Sequence, residues 1–272
     1  PLLHENVSDL SEIRFETRFS GREFFLRDHR IHGEKVLPGT AYLEMVRAAV
    51  QHSESAPQRS EGMALANLVW VQPLRLNETE QRVHTSVFES EDGELGFEVY
   101  QANSASEARH LLSQGGVQRF DTEPRPEVDL KALHERIAQK QISAEQIYRT
   151  YQAAGLDYGP SHRGIESLQL GQAEALARLV LPQQLLAGAE QFVLHPSLLD
   201  AAIQTSIGLV PGLWDEDSDE SMPLALPYAL DSLQIWQPLD TEIWAWTRES
   251  GNTTSQHRKL DIDLIDQHGK VC

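Results

Sequence analysis

An α+β fold, mostly antiparallel sheet, is predicted for these 272 residues from three observations. Apolar and polar side chains alternate with a period of two along much of the chain, as half-buried strands require. Helical periodicity is confined to a few stretches. Two of these are apolar on most sides and open at a proline, which suits helices buried inside a sheet better than helices lying on a surface.

In chain order, the first buried helix follows Pro38-Gly39-Thr40. Tyr42, Met45, Val46 and Ala49 recur there at i, i+3, i+4 and i+7, and Pro38 suits the first helical position. Strands are expected over Ala66 to Gln72, around Val83, Thr85 and Val87, over Leu95 to Gln101 and over Arg109 to Phe120. Near Asp121 to Asp129 the periodicity lapses and Pro124 and Pro126 alternate with acidic residues, so the chain divides there. We expect one half at residues 1–122, a linker at 123–142 and a second half at 143–272. Ser143 and Gln146 form a Ser-x-x-Gln capping box that opens a helix, and Gly155 marks its stop.

A strand follows at Ala175 to Leu181, then the second buried helix after His195-Pro196-Ser197, with Leu199, Ala202, Ile203 and Ser206 at the same spacing as in the first. Leu230 to Gln237, Glu242 to Arg248 and Leu260 to Ile265 complete the strands. Gln51 to Gly62 and the acidic run Trp214 to Glu220 read as solvated loops. Each half thus holds one buried helix and several strands, a repeat in element order and not in matching residues.

The balance of 41 Asp and Glu against 23 Lys and Arg, a net charge of −18, argues against nucleic acid, which needs cations at its phosphates, and against an anionic membrane. A single cysteine, Cys272, forms no internal disulfide and no Cys-rich zinc site, and points to a reducing cytoplasm. No run approaches the roughly 18 apolar residues of a membrane span, and no basic start leads into an apolar stretch. The opening at Pro1 without a methionine reads as a domain cut from a longer polypeptide. An apolar share of 40% is enough for a core.

Dinucleotide, phosphate-loop, zinc-protease and serine-hydrolase signatures are missing. Asp200 stands out because it lies within Leu198-Leu199-Asp200-Ala201-Ala202-Ile203, a run otherwise fit for burial. A lone carboxylate there is desolvated and its pKa raised, so it stays protonated and can donate a proton; equally, it can face a polar gap or a basic partner. Gln204 shares its helical face and can hold the carboxyl. His29, with an ordinary pKa of about 6.5, suits a general base, although His29 and His32 also read as plain loop histidines. No further ligands gather around them, so no metal is assigned. Pro38 lacks an N–H, which makes the Gly39 amide an early free donor at the positive end of a helix, suited to a carbonyl oxygen gaining enolate character. Glycine also lets a substrate approach the backbone.

These residues resemble a known family. His29-x-x-x-Gly33-x-x-x-x-Pro38-Gly39 is similar to the first signature of polyketide synthase dehydratase domains, and Asp200-x-x-x-Gln204 within His195-Pro196-x-x-x-Asp200 to the second. Gly155-Leu-Asp-Tyr158-Gly159-Pro160 resembles the third, and Leu226-Pro227-Tyr228 with the strand around Trp236 the segment that follows. The motifs stand in the family's order over nearly the whole chain, and the stretch from Asp28 to Met45 looks closest to bacterial synthases whose acyltransferase acts in trans.

The resemblance implies a double hot-dog fold, two antiparallel sheets each wrapped around a central helix, with one active site between the halves. It selects His29 over His32. It implies a β-hydroxyacyl thioester substrate on the phosphopantetheine arm of an acyl carrier protein, with neighbouring synthase domains as partners and no bound cofactor or metal. His29 would take the α-proton, the Gly39 amide would hold the thioester oxygen, and protonated Asp200 would give its proton to the leaving β-hydroxyl. Burial is expected to keep Asp200 protonated, and partial contact with water to keep His29 neutral. Gln204 and Tyr158 would orient the carboxyl, though Tyr158 also reads as a packing aromatic. Gly33, Pro38, Gly159, Pro160, His195 and Pro196 are structural parts of the motifs, His195 as a helix-entry residue. His162 stands where the family often has Phe, which bears on the shape or polarity of the channel. Double-bond shift, dehydration followed by oxygen-ring closure, an inert docking module and a free-standing hot-dog thioesterase are the rival readings. Asp200 and Pro38, which shift-type domains tend to lose, favour dehydration. Homodimerisation is common in such modules. Because carrier proteins are themselves usually acidic, docking calls for covalent tethering or a local basic patch, for which Arg27, Arg30 and Lys35 are the candidates.

Overall fold

The computed structural model describes residues 1–10, 12–53, 61–76, 79–90, 93–102, 109–215, 225–251 and 258–272. The first half runs through β1 (Glu5–Asn6), β2 (Ile13–Phe19), α1 (Phe24–Arg27), β3 (His29–Ile31), β4 (Glu34–Val36), α2 (Gly39–Ser53), β5 (Glu61–Trp70), β6 (Arg75–Leu76), β7 (Gln81–Glu89), β8 (Leu95–Ala102) and β9 (Arg109–Asp121). There follow α3 (Leu130–Arg136), β10 (Lys140–Ser143), α4 (Ala144–Ala153), β11 (Leu156–Tyr158), β12 (Ile165–Leu170), β13 (Glu174–Val180), α5 (Pro196–Gln204), β14 (Ala229–Ile235), β15 (Glu242–Glu249) and β16 (Leu260–Ile265). Of the two predicted loops, Gln51 to Ser53 finish α2 and Glu61 and Gly62 begin β5, whereas residues 54–60 and 216–220 lie outside the described residues.

Three antiparallel sheets result, in the orders β1-β2-β7-β8-β9-β5-β14, β10-β12-β13-β15-β16 and β11-β3-β4-β6. The two helices predicted to be buried are the central ones. Helix α2 packs on the seven-stranded sheet through β2, β5, β7 and β8, and α5 packs on the five-stranded sheet through β13 and β16. The two helices also touch each other, so a single hydrophobic cluster runs through both halves. Tyr42, Met45, Val46 and Ala49 on the predicted face of α2 are all buried. This is the double hot-dog architecture.

Several details depart from the simple repeat. Gly39, not Pro38, is the first helical residue of α2, and the Pro38 carbonyl accepts the Ala41 N–H as a cap. In α5 the proline does occupy the first turn, capped by His195, whose Nδ1 accepts the Ser197 N–H. The expected capping box at Ser143 and Gln146 forms in both directions. The stretch expected as a linker contains α3, capped by Asp129 and packed through Leu133 and Ile137 against Leu176 and Ile265. Strand β14, late in the chain, pairs with β5 and so completes the first sheet. Among the described residues, no helix is long and apolar enough to cross a membrane.

Helix α2 carries an ion pair inside the core. Glu44 and Arg47, 1% and 8% exposed, form a two-bonded contact at 2.7 and 2.9 Å, and Glu44 also accepts the amides of Val193 and Leu194 just before α5. The carboxylate therefore stitches one central helix to the approach of the other. Removing it leaves two amides unpaired and a buried guanidinium held only by the Gln51 side chain. Glu44→Ala is expected to cost about 3–5 kcal/mol in urea unfolding, the range for breaking a buried pair from one side.

Candidate active site

The site begins with a hairpin. Strands β3 and β4 are joined by His32 and Gly33, whose φ angles of 49° and 83° are both left-handed, the geometry that a two-residue turn between twisted strands requires. This explains the glycine of the first motif. The turn brings Val36 back beside His29, and the Val36 carbonyl lies 2.7 Å from His29 Nδ1. A carbonyl only accepts, so Nδ1 carries the hydrogen and Nε2 keeps the lone pair of a base.

On its other edge β3 pairs with β11, and the register sets Tyr158 directly opposite His29. Thus the second half enters the first half's site. The chain then turns through Gly159, Pro160, Ser161 and His162, and Asp28 holds that turn: its carbonyl accepts the Gly159 N–H at 2.7 Å and its carboxylate the Ser161 N–H at 3.1 Å. A side chain on Gly159 would sit 2.7 Å from Asp28 Cβ, so only glycine allows the approach. Arg27 binds the same carboxylate with two bonds, at 2.8 and 2.9 Å, and with the Ser161 contacts holds it well below the usual carboxylate range against the opposing effect of burial.

The turn delivers His162 to Asp200. Asp200 Oδ2 accepts from His162 Nδ1 at 3.0 Å and from Gln204 Nε2 at 2.8 Å. Gln204 Nε2 also donates to the His162 carbonyl, while its Oε1 accepts the Tyr148 hydroxyl at 3.2 Å and its backbone carbonyl the Tyr151 hydroxyl at 2.6 Å. His29 lies across from this group, its ring 5.3 Å from that of His162 and 5.6 Å from that of Tyr158. Thr40 Oγ1 donates to the Pro196 carbonyl at 3.1 Å, which brings the N-termini of α2 and α5 together and Gly39 with them. Trp70 Nε1 donates to the Gly39 carbonyl, and its indole closes against the position a Gly39 side chain would occupy.

Two electrostatic expectations need correction. Burial does push Asp200 upward, but the His162 hydrogen bond, the electrostatic pull of the neighbouring His29 and His162 rings and the Gln204 bond outweigh it, so its pKa is lowered and the free carboxyl is ionised at neutral pH. His29 is kept neutral by burial and not by contact with water: it is only 6% exposed, and desolvation lowers its pKa despite the charge of Asp200. Tyr158 makes no hydrogen bond to the carboxyl among the described residues and instead packs its ring against His29, Tyr151 and His162. The tyrosines that steady the carboxyl's amide partner are Tyr148 and Tyr151, which the sequence reading missed. Their spacing on a capped helix was visible, but their target, Gln204, is more than fifty residues away in the chain.

His195 caps α5 under the rings of Phe24 and Phe192, and burial, with the charge of His162, takes its pKa down to about 4. Of the predicted docking residues, Arg27 is committed to Asp28, whereas Arg30 and Lys35 stand opposite each other on β3 and β4, Lys35 also reaching the Gly21 carbonyl. Among the described residues, no group of three or more His, Cys, Asp or Glu could hold a metal ion.

The fold and this histidine–carboxylate pair define a double hot-dog enzyme domain of the dehydratase type. A family profile described as polyketide synthase dehydratase domain matches residues 1–102, and one described as polyketide synthase dehydratase N-terminal domain matches residues 125–272. The chain belongs to the polyketide synthase dehydratase family, whose members are hydro-lyases. It is similar to a dehydratase domain of a trans-acyltransferase polyketide synthase from Brevibacillus brevis, with 42% identity, a TM-score of 0.91 and coverage of 100% of this chain and 94% of that one. It is also similar to the dehydratase domain of the CurF module of curacin polyketide synthase, at 26% identity and a TM-score of 0.88, again covering 100% and 94%. Polyketide synthase PksL of Bacillus subtilis (strain 168) is 38% identical over 275 residues, covering 100% of this chain; the chain spans 6% of that relative's length.

The Asp28 clamp gives a pH-dependent expectation. Its folded pKa is depressed, so its stabilisation is present above the ordinary carboxylate value of about 3.9 and is lost as pH falls towards the folded value. Asp28→Asn should lower stability at pH 7 by about 1–2 kcal/mol, discounted for the exposure of Arg27. Denaturation series should show the gap to the parent closing below about pH 4.

Proposed function

We propose that this site removes water from a β-hydroxyacyl thioester carried on the phosphopantetheine arm of an acyl carrier protein. The observation that supports it most is the convergence, from two halves of the chain, of a histidine with its basic nitrogen defined and a carboxyl with one oxygen, Oδ1, that receives neither the His162 nor the Gln204 bond. His29 Nε2 takes the α-proton, acidified by the thioester carbonyl. The Gly39 amide, in the first turn of α2 where no intrahelical acceptor exists, holds the carbonyl oxygen as it gains charge. Asp200 gives a proton from Oδ1 to the β-hydroxyl, which leaves as water while the double bond forms. His29 has gained one proton and Asp200 has lost one, so transfer within the pair or through solvent restores the start.

The lowered pKa of Asp200 in the free site sets a condition on this chemistry. Neutral His29 with protonated Asp200 holds one proton more than the free site, where His29 is neutral and Asp200 ionised, so the pair takes up a proton from solvent as substrate binds. Binding of an apolar acyl chain removes water and penalises the charged arrangement, which favours the productive one.

Carrier recognition falls to Arg30 and Lys35, since Arg27 is engaged. Asp157 lies opposite Arg30 on the neighbouring strand, so the basic patch is narrow. His29→Ala and Asp200→Asn should each lower dehydration of a carrier-bound β-hydroxyacyl substrate by about 100- to 10,000-fold, read by mass spectrometry of the carrier, with unfolding unchanged. Near-normal turnover in either variant overturns the reading. Reversing the charge of Arg30 and Lys35 together should raise KM for the carrier-bound substrate and leave kcat unaltered; an unmoved KM assigns the encounter to tethering alone.

A further inference from the structure

His162 is fully buried, yet its ring makes a single polar side-chain contact, Nδ1 to Asp200, and Nε2 has no partner among the described residues. A histidine placed for packing alone would be expected to satisfy both nitrogens or be replaced by a ring without them. Its backbone is equally committed, since the His162 carbonyl accepts from the same Gln204 amide that donates to Asp200. Both donors meet on Oδ2. Whichever proton Asp200 carries is therefore left to Oδ1.

We propose that His162 is a positioning residue for the dehydration acid, determining through Nδ1 which oxygen of Asp200 bears the transferred proton. This rests on the assignment of Asp200 as that acid. The donor does two things at once. It fixes the carboxyl rotamer, and by bonding to the ionised form it makes the proton easier to give up. A phenyl ring in the same place would fill the volume and supply neither. The other groups facing Asp200 are His29 from β3, Gln204 one turn along α5, and the phenols of Tyr148 and Tyr151 from α4 and Tyr158 from β11. All three phenols are pushed above their ordinary range by burial, and so remain neutral. His195 lies close enough to feel the charge of His162 but is held neutral by burial.

The test compares His162→Phe, which keeps the ring, with His162→Asn, which keeps an N–H near the position of Nδ1. The Asp200 carboxyl is followed by 13C NMR across pH in the full chain without substrate, its resonance assigned by its loss in Asp200→Asn. In the Phe variant the carboxyl should take up its proton at a pH higher by about one unit or more, and in the Asn variant within a few tenths of the parent. The alkaline limb of kcat/KM should move upward in the Phe variant and stay in place in the Asn variant. An unmoved Asp200 titration in the Phe variant, or equal movement in both, overturns the proposal even if turnover falls, because it marks a packing role. If the phenyl ring is not accommodated, His162→Leu serves for the same comparison. Normal turnover in Asp200→Asn removes the acid assignment and is read separately from the titration.

Discussion

One antiparallel register, Tyr158 opposite His29, decides where every part of the site falls. Side chains alternate along a strand, so a slip of one residue between β3 and β11 would turn the second half's aromatic away from the histidine and carry the following turn with it. Short strands hold register weakly. Here the pairing is reinforced one residue outside it, where Asp28 accepts amides from Gly159 and Ser161 and is itself held by Arg27. A carboxylate just before His29 thus anchors the turn that carries His162 to Asp200. The first half places His29 and also places, through Asp28, the His162 partner of Asp200.

The same arrangement explains why local reasoning about Asp200 gives the wrong sign. Read along the helix, its neighbours are leucines and alanines, and a lone carboxylate among them should be hard to ionise. The neighbours that matter come from elsewhere: His162 is 38 residues earlier in the chain, and Gln204 is held in its orientation by two tyrosines of α4. Two donors on one oxygen, with imidazoles close by, outweigh the loss of hydration. For His29 the reasoning failed in the other direction: a loop-like sequence suggested water contact, whereas two strands and the opposing Tyr158 bury it.

Much of the fold was nonetheless legible, for identifiable reasons. The central helices α2 and α5 could be read because complete burial removes polar residues from nearly every side, and the capping box at Ser143 because its two hydrogen bonds depend on residues three apart. Strands β7 and β8 show the period in Val83, Thr85 and Val87 and in Leu95, Phe97 and Val99. Strand β2 was missed although Ile13, Phe15, Thr17 and Phe19 alternate with Arg14, Glu16 and Arg18, so its period of two was present in the sequence. Helix α3 was missed because seven residues with one fully buried leucine carry too little periodicity. The attachment of β14 to β5 could not be read at all, since edge pairing depends on which strand end is left open and not on the strand's own pattern. In the site, Gly33, Gly39, Gly159, His29, Asp200 and Gln204 were all named from motif spacing; the roles of His162, Tyr148, Tyr151 and Asp28 emerge only from contacts distant in sequence.

The joined N-termini of the central helices impose a further constraint. Thr40 binds the Pro196 carbonyl, so the positive ends of α2 and α5 lie side by side at the site. That field favours negative charge wherever it develops, and in the proposed reaction it stabilises an enolate-like thioester oxygen near the Gly39 amide. The His162 and Gln204 bonds favour the Asp200 carboxylate, which in the proposed reaction works against an acid that must hold its proton until the hydroxyl leaves. The conflict is eased if the proton settles on Asp200 only when an acyl chain has excluded water and a hydroxyl stands at Oδ1. Water loss is then coupled to occupancy: a site that stabilises the enolate in the absence of a hydroxyl leaving group has no protonated acid with which to act. In the proposed reaction, the electrostatics that depress Asp200 in the free protein thus act with the geometry to restrict water loss to a correctly seated β-hydroxy substrate.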